Sequence, residues 1–164
     1  MVTFQASARP SQESLSVLTD SFAEAALVGM KLSFAKSFDQ GKVTRAQYQC
    51  VEQLNASDMR KTVYEVLAQA LNDDELQDAQ EFFGSSVGIK YARYGILKIY
   101  SQRGATPPEP EPLFTSTDRS ELASFASRPA GKKLIVDHVL ESDSARQAFT
   151  AGTVQLLRGC MAMR

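Results

Sequence analysis

The chain has 164 residues, 43% of them hydrophobic and 23% charged, a composition that suits one compact domain with a real core and excludes a disordered or fibrous protein. With 18 basic residues against 19 acidic ones the formal net charge is −1, so no global field draws the protein to nucleic acid or to an anionic membrane. The longest apolar runs fall far short of the roughly 20 residues of a spanning helix, and no stable membrane insertion is expected.

Near the N-terminus, Ala6-Ser7-Ala8 has the small-x-small spacing of a signal-peptidase site, without the charged and apolar regions that should precede one. It raises the expectation of a periplasmic or secreted bacterial protein, with a cytoplasmic one as the alternative. Ser11 is placed to cap a long first helix running to about Phe38, with Leu15, Leu18, Phe22, Ala25, Gly29 and Met30 on its buried face and Asp39-Gln40-Gly41 as its stop. Thr44 and Gln47 form a capping box, in which the hydroxyl and the amide each satisfy the other residue's backbone N–H. Asn55 or Ser57 opens a third helix, with Met59, Val63, Val66, Leu67 and Ala70 turned inward.

Asn72 and Glu75 make the next box, leading through Phe82 and Phe83 to a stop at Gly84 and a new start at Ser85-Ser86. That helix ends near Tyr100. The stretch GATPPEPEP, Gly104 to Pro112, excludes helix by its four prolines and reads as a stiff crossover. Thr115 and Asp118 then open a helix that breaks at Ser127-Arg128-Pro129, after which a further helix is expected through Leu134, Ile135, Val139 and Leu140. Ser142 or Ser144 caps a last helix carrying Phe149, Val154, Leu157 and Cys160. No segment shows strand alternation. The reading is an all-α bundle of about seven to eight helices in a single domain: N-terminal helices over 10–71, a first hairpin over 72–102, a Pro-rich linker over 103–113, a second hairpin over 114–141 and a C-terminal helix over 142–164.

The hairpins repeat. An offset of 43 residues places Phe82 on Phe125, Gly88 on Gly131, Lys90 on Lys133 and Leu97 on Leu140, and it brings the boxes Asn72/Glu75 and Thr115/Asp118 into register. Pro129 suits the first position of a helix and pushes Arg128 into an extended cap conformation. Gly131 then falls in the first helical turn, where glycine costs roughly 0.5–1 kcal/mol relative to alanine. Its use at both equivalent positions implies that something packs too closely for a methyl group, either another backbone or a ligand.

The corners FFGSSVG and FASRPAG each follow an acidic, capped helix start, and together they resemble the aromatic, x, Ser-Pro, x, Gly signature of the bacterial family catalogued as domain of unknown function 2059. The resemblance spans about residues 65–157 and implies a small exported helical protein with no assigned activity. Neither corner here holds an intact Ser-Pro pair, and the family supplies no catalytic residues.

Candidate chemistry is sparse. The corner is not a phosphate-binding P-loop, because Ala126 or Phe83 replaces the first glycine, no strand precedes it, and Lys133 follows Lys132 where a hydroxyl is required. A weak anion site at the helix start remains, formed by Arg128, Gly131, Lys132 and Lys133. His138, the only histidine, with Asp137 and a distant serine, is the one route to a hydrolase. The two cysteines and His138 lack metal-ligand spacing, so neither a metal nor a cofactor is implied. Asp73, Asp74, Glu75, Asp78 and Glu81 read as a solvated, dipole-favouring face. Cys50 and Cys160 are expected to be joined if the protein is exported and free if it is not. Tyr91, Tyr94 and Tyr100, beside Lys98, lie along one helix and could line a groove. The expectation is a noncatalytic module binding a protein or small ligand through the groove between its hairpins. The alternatives are a hydrolase built around His138 and a structural or assembly subunit, for which a homo-oligomer would be the mark.

Overall fold

The computed structural model describes residues 10–163. Among them the chain forms α1 (Ser16–Asp39), α2 (Arg45–Glu52), α3 (Ala56–Ala70), α4 (Asp73–Gly84), α5 (Ser86–Gln102), α6 (Ser116–Ser127), the single turn α7 (Pro129–Gly131) and α8 (Asp143–Met161). A π-helical turn, Lys132–Val136, and a 3-10 turn, Val139–Glu141, join α7 to α8. The described residues contain no strand, and the fold is an all-α bundle.

Local chemistry starts these helices where the caps lie. Thr44 with Gln47, Asn55 with Asp58, Asn72 with Glu75, and Thr115 with Asp118 all form reciprocal boxes, while Ser85 and Ser142 accept from Gly88 and Ala145 respectively. Ser11 departs from expectation. Its hydroxyl accepts from the Ser14 N–H in a separate turn, and α1 begins at Ser16 with no side-chain cap.

α1 is the central strut, packed against α2, α3, α4 and α5, whereas α8 lies against α2 and α3. A helix touched on several sides needs more than one apolar face. Leu18, Thr19, Ala23, Leu27 and Met30 are the buried residues of α1; Phe22, Ala25 and Gly29, expected in the core, are only half-buried and occupy a different face. Thr19 avoids an unsatisfied hydroxyl by donating to the carbonyl of Leu15.

Cys50 at the end of α2 and Cys160 in the last turn of α8 form a disulfide, with 5.5 Å between their α-carbons. The Pro-rich crossover is tied along α5, with Glu109 Oε1 2.5 Å from Arg93 Nε and Glu111 Oε1 2.8 Å from Lys98 Nζ. It acts as a strap.

The helix expected through Val139 and Leu140 does not form. The Asp137 N–H reaches back five residues to Lys132 O, and His138 then adopts the left-handed conformation with φ 49°. Ile135 to Val139 includes no strong helix former, whereas the equivalent stretch of α5 begins with Ala92-Arg93 and is carried past its own weak formers Tyr94, Gly95 and Ile96 by packing on α1. Histidine is one of the few residues that tolerate the left-handed region, so the break falls where the backbone cost is smallest.

Candidate functional site

The two corners share their backbone geometry but not their cap: the Ser85 hydroxyl accepts from the Gly88 N–H, whereas Arg128 makes no side-chain cap bond and Pro129 takes the first helical position. Ser85 and Arg128 have φ/ψ of −77/162° and −83/159°, and their N–H groups donate to Phe82 O and Phe125 O at 3.0 and 2.9 Å. A β-carbon on Gly88 would stand 1.9 Å from Phe82 O, and one on Gly131 would stand 1.9 Å from Phe125 O. The close neighbour behind both glycines is thus the backbone of the preceding helix in the same hairpin, and no ligand is needed to account for either.

The hairpins face each other reciprocally. The Phe82 and Phe125 rings stack with centroids 3.8 Å apart and planes 5° from parallel. Lys90 of the first hairpin donates to Asp118 of the second at 2.5 Å, and Lys133 of the second donates to Glu75 of the first at 2.7 Å. Equivalent residues that meet each other, flanked by i-to-j and j-to-i pairs, define a local twofold relation like that of a symmetric dimer. The Phe82 and Phe125 faces are closed by this contact, and what remains open between the corners is a small cleft of about 300 Å³ beside Arg128.

This arrangement corrects the reading of Glu75 as solvated, since its side chain is 9% exposed and its carboxylate also accepts from the Asn72 N–H. Burial pushes its carboxyl up, but the Lys133 hydrogen bond, the Asn72 N–H and the Lys133 charge together hold it below the ordinary carboxylate value. The Lys90 hydrogen bond and then the Thr115 N–H lower Asp118 likewise. Asp78 is engaged as well, 3.2 Å from Arg128 Nη2.

Of the residues considered for an anion site, Arg128 faces Asp78 and lies over the Phe125 ring, Lys133 is bound to Glu75, Gly131 is buried, and Lys132 is exposed. A small cleft beside Arg128 is also lined by Asp78, Glu81 and Glu121, whose carboxylates oppose an incoming anion. His138 is exposed with Nδ1 3.7 Å from Glu141 Oε1, and no hydrogen bond joins it to a serine among the described residues.

The open space lies elsewhere, where the hairpins diverge. A lobe of about 740 Å³ between α1, α5 and α8 runs into one of about 430 Å³ between α1, α5 and residues 134–141. Phe22, Ala25, Ile99, Gln102, Leu140 and Glu141 line both lobes, so the two form one trench with α1 as its floor. Phe22, Ala25 and Gly29, the apolar stripe that α1 withholds from the core, make that floor, and Ala25 and Gly29 deepen it by being small. Of the tyrosines on α5, Tyr91 and Tyr94 line the smaller lobe; burial raises the Tyr91 hydroxyl pKa, with the Tyr94 charge adding to the shift. Lys98 sits 5.1 Å from the Tyr94 ring centroid. The apolar periodicity of α1 assigns Phe22, Ala25 and Gly29 to the core face, and they line the trench instead, because periodicity does not distinguish an apolar stripe facing a core from one facing open space. Phe149, Thr153 and Val154 of α8 complete the far wall.

No family model matches the chain, and no curated protein and no solved structure is similar to it at a significant level.

Proposed function

We propose that the protein is an exported, noncatalytic helical module that holds an apolar ligand in the trench above α1. The observation that carries the reading is the continuity of two apolar lobes over a floor of Phe22, Ala25 and Gly29. Their volumes fall in the range of small-molecule sites, which are mostly apolar with a few polar groups at fixed points. The Cys50–Cys160 bond supports a periplasmic or secreted location, since such bonds persist in oxidising compartments. No helix among the described residues is long and apolar enough to cross a membrane. The family resemblance of the two corners supports export and carries no ligand, and we propose membership of that exported family on those motifs; Ala6-Ser7-Ala8 lies outside the described residues.

Titration of the full chain with Nile red, a neutral apolar dye, tests the trench. Saturable binding is expected for the native protein, and weaker binding for Ala25→Leu, which raises the floor shared by both lobes. Gly95→Leu places a side chain at a trench position where a β-carbon meets nothing within 4 Å, and it improves helix propensity by up to about 1 kcal/mol. It should therefore weaken the dye without unfolding the protein. Absence of saturable binding, or unchanged binding in both variants, overturns the proposal.

A further inference from the structure

The trench has a direction. Arg93 Nη1 lies 3.7 Å from Glu24 Oε1, and a β-carbon on Gly29 would touch Ile99 Cγ2 at 3.8 Å, so α1 and α5 run side by side in the same sense. One turn past Ile99, Arg103 lines the larger lobe together with Ser33 and Phe34. From Ser21 to Phe34 the floor is roughly 20 Å long at the helical rise, about the extended length of a long acyl chain.

The walls select against a peptide strand. Most of the trench is walled by helices, whose backbone donors and acceptors are consumed internally, so an extended polyamide would bury its own amides unpaired. A hydrocarbon tail has no such groups. The charges along the rim differ in their engagement: Lys98 Nζ is 2.8 Å from Glu111 Oε1, and His138 lies beside Glu141. Arg103 is the one trench-lining cation with no carboxylate partner among the described residues.

We propose that the trench binds a free long-chain fatty acid, with its tail along α1 and its carboxylate on the Arg103 guanidinium. This deepens the binding reading above and rests on it. The guanidinium offers two parallel N–H donors to a carboxylate at the mouth, while the tail displaces water from the apolar floor. Glu141, a second charge on the rim, opposes the same carboxylate.

The test is displacement of Nile red from the full-length protein by palmitate and by hexadecanol, which share a chain length and differ in the head group. Palmitate should bind about fivefold more tightly, the size of a solvent-exposed charge-assisted pair. Arg103→Gln should abolish that preference, and Glu141→Gln should widen it, each read as the ratio of palmitate to hexadecanol affinity within the same variant. Equal affinity of the native protein for both compounds, or a preference that survives Arg103→Gln, overturns the fatty acid while leaving the dye-binding trench standing. A lysophosphatidate that outcompetes palmitate shows instead that the source is a phospholipid, which also overturns it. Failure of Nile red to bind removes both proposals.

Discussion

In the first hairpin α5 continues for 17 residues past the corner and seats itself on α1, whereas in the second the helical path bends through a π turn and stops at His138. Up to the corner glycine the two hairpins agree in opening capping box, break, aromatic and close backbone approach. They part only where the following residues must choose a neighbour. Corner geometry is local and can be copied, while the continuation depends on the surface the new helix meets. The trench is the space opened by that divergence, because residues 134–141 line one lobe from a bent path rather than filling it with a straight helix.

Both hairpins lie inside the loop closed by the disulfide, so its removal probes what they share. Replacing Cys50 and Cys160 together by alanine should cost about 4–5 kcal/mol in the chain-entropy account for a separation of 110 residues, read as a lower urea midpoint. Mass spectrometry of the native protein alkylated without reductant should find neither cysteine modified; two alkylated cysteines would contradict the oxidised assignment.

Phe125 is 1% exposed and stacks on its own counterpart, so Phe125→Ala should cost about 3–5 kcal/mol and should loosen both corners at once. Amide exchange near Phe82 should rise with it. If only the second hairpin loosens, the reciprocal contact is not what joins them.

Gly88→Ala and Gly131→Ala each drive a methyl into a carbonyl of the preceding helix, and each should destabilise by about 3 kcal/mol. Of the two, Gly88→Ala should cost more, because shifting α5 disturbs its seat on α1, whereas the short turn after Gly131 has less to displace. Equal costs would show that the corner alone sets the penalty.

The smallest effect concerns the exchanged ion pairs. Glu75→Gln should cost roughly 1–2 kcal/mol at neutral pH, since the amide still accepts a hydrogen bond but loses the charge. Both carboxyls are lowered on folding. Their stabilisation is therefore full above the ordinary values of 4.5 for Glu75 and 3.8 for Asp118, and it is lost as the pH falls through the lower folded values. The native protein should lose stability on acidification below about pH 4.5, and Glu75→Gln should show a shallower loss there. Identical acid profiles would remove Glu75 from the account.

Much of the fold is written in short-range chemistry. Three of the capping boxes, the break before Pro129 and the corner glycines are decided by atoms within a few residues of one another, so propensity and cap rules locate them from the chain alone, whereas for the Asn55/Asp58 box the sequence leaves the cap open between Asn55 and Ser57. The pairing of Cys50 with Cys160 was open to the sequence only as a conditional, since it joins helices 110 residues apart. Glu75 looked solvated because its burial comes from Lys133, brought over by the second hairpin. The stripe Phe22, Ala25 and Gly29 was legible as apolar, but whether it met a core or an open trench was settled by how far α8 and residues 134–141 stand from α1. Arg103 carried no signal at all. Its importance comes from the side-by-side run of α1 and α5 and from the pairing of its neighbours, which exist only once distant segments have packed.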